Sequence, residues 1–103
     1  MPLPDPKKFV CCDGNVVHTC DPPPPCGDRQ QALRLADLTA VRRADVEPGA
    51  IKLIATTEAE LVTELNLAHR HKHGKGTSKH YRVYKIDGTA NEYVAYSHDQ
   101  LAG

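Results

Sequence analysis

The sequence predicts an α+β fold. The expected form is a small single domain with an N-terminal Cys-rich hairpin, two helices, a central strand and a C-terminal antiparallel β-hairpin. Three observations point there. Thr57 followed by Glu60 is a capping box at the head of an apolar-striped segment. HYRVYKI at 80–86 and NEYVAYS at 91–97 flank the turn signal Asp87-Gly88. The chain has 103 residues, which suits one core and not two. Leu, Ile, Val and Phe make up 21 of those residues, so the core is thin and a metal, a disulfide or a partner would supplement it.

Residues 1–8 hold three prolines and two lysines and read as a flexible arm. Residues 9–27 read as a Cys-rich hairpin and proline spacer. FVCCDGNVVHTC places two apolar runs around Asp13-Gly14-Asn15, and Pro22 to Pro25 then favour an extended polyproline rod. Residues 28–98 read as the α+β core. Asp28 is positioned to cap a first helix, DRQQALRLADL, with Leu33, Leu35 and Leu38 on its apolar side, running to about Ala44. The other reading ends this helix near Asp37 and makes 41–46 a strand. Ile51 to Ala55 reads as a buried strand. A second helix is expected over 58–70, with acids in its first turn and His69 and Arg70 in its last, matching the helix dipole. In the C-terminal hairpin, pairing Ile86 with Asn91 also pairs Lys85 with Glu92, Tyr84 with Tyr93 and Tyr81 with Tyr96, all favourable cross-strand neighbours. Residues 99–103 read as a frayed tail.

All four cysteines lie within 16 residues, with His18 among them. Thiolate and imidazole are the usual zinc ligands, and Cys12, His18, Cys20 and Cys26 form the candidate zinc set. Zinc would staple a segment with little apolar core, because its binding free energy becomes folding free energy. The spacings match no standard zinc motif. Reduced thiols, disulfides in one of three pairings, and a cysteine nucleophile beside His18 therefore stay open.

The net charge is zero, from 13 basic and 13 acidic side chains, but the charge is segregated. Residues 67–86 carry six Lys and Arg and no acid, with four of the six histidines. Arg70, His71, Lys72, His73, Lys75, Lys79, His80, Tyr81 and Arg82 are the candidate binding residues. Cations on a glycine-containing loop suit phosphate contacts, and a tyrosine suits base stacking. Up to four further charges would appear near pH 6, where ordinary histidine titrates.

No phosphate loop, nucleophile elbow, zinc-protease helix or calcium loop is present. The sequence thus favours a non-enzymatic binding protein, zinc-stapled through the cysteine cluster, that engages nucleic acid or an acidic protein surface through its basic His-rich loop. An inhibitor of a host nucleic-acid machine, carried by a phage or mobile element, fits that description. The alternative is a metal-independent ribonuclease or toxin built on His71, His73, His80 and Tyr81. No apolar stretch approaches the roughly 20 residues that span a bilayer. The first ten residues lack the apolar run of a signal peptide, which predicts a cytoplasmic, reducing setting without membrane partners. The oligomeric state is open.

Overall fold

The computed structural model describes residues 3, 4, 6, 8–20 and 31–97, with Cys20 described by its backbone alone. The proline spacer, Cys26, the Asp28 cap and the tail at 99–103 lie outside the described residues. Among the described residues, six strands form one sheet packed against a single α-helix: β1 (Phe9–Cys12), β2 (Val17–Cys20), β3 (Thr39–Val41), β4 (Ile51–Ile54), α1 (Glu58–His73), β5 (Lys79–Ile86) and β6 (Glu92–Ser97). The strand order is β2-β1-β5-β6-β4. β5, the longest strand, is paired along its whole length. β6 runs antiparallel along one edge. On the other edge β1 pairs antiparallel with the first half, and β3 pairs parallel with the second half.

The expected two-helix layout is corrected by this arrangement. Described residues 31–44 hold no α-helix. They form single 3-10 turns at Leu35–Asp37 and Arg43–Asp45, with β3 between them. The physical reason is tertiary. Thr39, Ala40 and Val41 satisfy the half-edge of β5 that β1 leaves open, against Tyr84, Lys85 and Ile86. Leu33 and Val41 also pack into different clusters on opposite faces of the sheet, so the segment must cross from one face to the other. A ladder that satisfies buried backbone groups outweighs a modest helix preference.

The register of the C-terminal hairpin is corrected as well. Tyr84 lies opposite Val94, Lys85 opposite Tyr93, and Tyr81 opposite Ser97. The pairing is shifted by one residue from the expected one, and a one-residue shift reverses every side chain's face on one strand relative to the other. The tyrosines consequently sort by face. Tyr81 and Tyr93 join the cluster under the helix, and Tyr84 and Tyr96 join the cluster on the opposite face. The aromatic pair that forms is Tyr84–Tyr96, edge to face with centroids 6.3 Å apart.

The helix-side cluster joins Leu61 and Leu65 of α1 to Val10, Leu53, Val83 and Ala95 of the sheet. Fully burying each leucine contributes about 1.5–3 kcal/mol. Thr57 caps α1 as expected: its Oγ1 accepts from the Glu60 amide at 3.1 Å, while the Glu60 carboxylate accepts from the Thr57 hydroxyl at 3.4 Å. The opposite face is covered by chain rather than by helix. Leu3, Val46 and Ala50 pack on it, and the Tyr84 hydroxyl donates to Pro4 O at 2.7 Å. The Glu47 amide donates to the Tyr96 hydroxyl at 2.6 Å, which holds the 43–50 loop against this face. Among the described residues, no helix is long and apolar enough to cross a membrane.

Candidate functional site

The β1–β2 turn and the C-terminal end of α1 meet, and the basic segment is built on that junction. Asp13 organises the turn: its carboxylate accepts from the Asn15 and Val16 amides, each at 2.8 Å. Those two amides hold the Asp13 carboxyl below the usual carboxylate range. Gly14 follows with φ +94°, which favours glycine. A Cβ on Gly14 would lie 3.3 Å from Lys75 Cα and 3.4 Å from Arg70 Cγ, so the two segments touch through the missing side chain. Arg70 Nε donates to Gly14 O at 2.6 Å, and the Gly76 amide donates to Asp13 O at 3.1 Å. Asn66 bridges from the helix, accepting from the Cys12 thiol at 3.0 Å and donating to Asn15 O at 3.4 Å.

Behind this junction His69 is fully buried. Its Nε2 lies 2.7 Å from Thr77 O and its Nδ1 2.7 Å from the Tyr81 hydroxyl. A carbonyl can only accept, so Nε2 carries a proton and donates to it. In the neutral ring, Nδ1 then accepts from Tyr81. Burial pushes the Tyr81 phenol up to about 12.

The structure distributes the candidate binding residues over three places. His71, Lys72, His73 and Lys75 are exposed around the end of α1 and the following loop, and Arg70 anchors them. His80 and Arg82 point to the sheet face away from the helix, where Arg82 lies over the Phe9 ring, 5.9 Å from its centroid. Tyr81 is fully buried and is not a stacking platform. The set His71, His73, His80 and Tyr81 is therefore not gathered at one point. Lys79 opens β5, opposite Cys12.

The candidate zinc residues are likewise parted. Cys12 lies opposite Val17 and Cys11 opposite His18, so Cys12 and His18 face opposite sides of the sheet. Cys12 is a free thiol buried under the helix, and Cys11 is disulfide-bonded. Burial pushes the Cys12 thiol up. Among the described residues, no group of three His, Cys, Asp or Glu side chains is gathered for a metal ion. The Cys20 side chain and Cys26 are outside the described residues. Cys11, absent from the zinc set, is the residue that aligns with His18 on one side and His80 on the other. Counting alternation outward from the Asp13 turn would have found this neighbour.

Comparison with protein-family models, curated proteins and solved structures finds no match to this chain.

Proposed function

We propose that the protein is a non-enzymatic binding module that engages a polyanion, foremost the phosphate backbone of a nucleic acid, through the end of α1 and the loop that follows. One observation carries the reading. His71, Lys72 and Lys75 project from an anchored end of the molecule and form no ion pair with any described residue. The helix C-terminus contributes about half a negative charge there, which the fixed charges of Arg70, Lys72 and Lys75 outweigh. The turn contacts of Arg70 and Gly76 hold the loop in place, which lowers the ordering cost of binding. With Tyr81 buried, contacts at this end are to phosphate rather than to base faces, so binding should discriminate weakly among sequences.

The test is retention on heparin, then titration with duplex DNA and with RNA over a salt series. Binding should weaken with salt, and Lys72→Gln with Lys75→Gln should reduce the log–log salt slope by about 2 on duplex DNA. Unchanged affinity and slope in the folded double variant would overturn the proposal. Binding only to an acidic protein would move the partner to the other class expected from the sequence. The cytoplasmic setting belongs to the same reading, and the Cys11 disulfide bears against it, because such bonds persist mainly in oxidising surroundings. The mass of freshly isolated, alkylated protein decides which holds.

A further inference from the structure

β4 ends the sheet. β6 pairs with one side of it, and among the described residues nothing hydrogen-bonds to the outer edge of Ile51–Ile54. A groove of about 430 Å³ runs beside that edge on the face away from α1. Val46, Ala50, Ile54, Ile86 and Val94 give it an apolar lining. Its charged lining is Arg43 and Glu92, which pair with each other, together with Glu47 and Lys52. On the helix side a second hollow of about 290 Å³ is lined by Ile54, Ala59, Glu60, Thr63 and Glu64. Ile54 borders both hollows and is 62 % exposed.

We propose that this edge takes up an extended peptide segment of another protein by strand addition, independently of the basic end. Main-chain bonds to a sheet edge supply affinity, and alternate side chains supply selectivity. The two faces of β4 specify the occupant. Lys52 and Ile54 project to the groove side, and Lys52 forms no ion pair with any described residue. An added strand therefore favours an acidic residue opposite Lys52 and an apolar one opposite Ile54, two positions apart. The residue between them faces the helix side, where Glu60 and Glu64 favour a cation. In the antiparallel direction this reads Val-Lys-Glu. A second copy of the chain is a poorer occupant. Symmetric pairing centred on β4 brings two copies of Lys52 close together on one face, and like charges there disfavour the pair.

The experiment is amide NMR of the full chain, titrated with a capped five-residue peptide centred on Val-Lys-Glu and, as control, one centred on Val-Glu-Lys. The expected result is saturable shifts at Ile51–Ile54 and along the groove, with a Kd on the order of 1 mM, several-fold weaker for the control. Lys52→Glu should cancel that preference, since the position opposite it then favours the control while Glu60 and Glu64 still favour the first peptide, and its spectrum reports the fold. Three outcomes would overturn the proposal: no shifts with either peptide, shifts confined to 70–80, or equal response to both peptides. Concentration-dependent shifts of β4 without peptide would also overturn it, in favour of self-association.

Discussion

Arg70 is bound to Gly14: its Nε donates to the Gly14 carbonyl across 2.6 Å, joining positions 56 apart in sequence. A side chain that counts as one of six cations in the basic segment is therefore structural at its head group. Removing it should act on stability, and removing Lys72 or Lys75 should act on binding. Arg70→Ala is expected to cost about 1–2 kcal/mol, read by urea unfolding. Lys72→Ala and Lys75→Ala should stay within about 0.5 kcal/mol of the parent while losing heparin retention. Equal effects of all three on stability would remove the distinction.

Gly14→Ala should destabilise the same junction by another route. Its φ of +94° disfavours an L side chain, and a methyl would press on Lys75 Cα and Arg70 Cγ. Strain of this kind costs about 1–3 kcal/mol. Gly76→Ala keeps the positive φ but meets nothing within 4 Å, so it should cost less. Thermal unfolding of the two variants side by side tests the ordering.

How far the fold was legible follows from where its information lies. α1 was readable because Thr57, Glu60 and the leucine stripe are local signals, and only its C-terminal bound moved, from 70 to His73. The β1–β2 hairpin was readable from its turn. β3 was not, because three residues in a parallel ladder carry almost no periodicity and exist only because β5 has half an edge to fill. The tyrosine pairing failed through a single residue of loop length, since cross-strand preferences are too weak to set register against burial on both faces. The basic segment was visible as charge. Its division among a helix end, a buried tyrosine and the far sheet face was not, because alternation along β5 separates neighbours in sequence.

Cys12 should be inert in the native protein. The residue is 1 % exposed, burial pushes the thiol's ionisation up, and the thiol donates to Asn66. Since the thiolate is the reactive form, iodoacetamide at pH 7.5 should label Cys12 only on unfolding, as read by peptide mass. Labelling of native protein at the rate of a free cysteine would contradict the burial.

Tyr81 should make the protein sensitive to alkali. Its phenol is pushed up to about 12 by burial, with the neighbouring Cys12 adding to the effect, against about 10 in an unfolded chain. A raised phenol favours the protonated state in the fold. That stability is fully present below about pH 10 and is lost as pH climbs toward 12, to a limit of about 2–3 kcal/mol. Burial raises Tyr93 and Tyr96 too, so several of the four phenols should ionise late, Tyr81 among the last. Tyr81→Phe separates the two roles of the hydroxyl. It should lower stability at pH 8, because Nδ1 of buried His69 loses its partner, at a cost of about 1–3 kcal/mol. It should also flatten the decline above pH 10. Urea midpoints at pH 8, 10 and 11, with tyrosinate absorbance at 295 nm, read both effects. If the variant declines as steeply as the parent, the alkaline sensitivity belongs to another group.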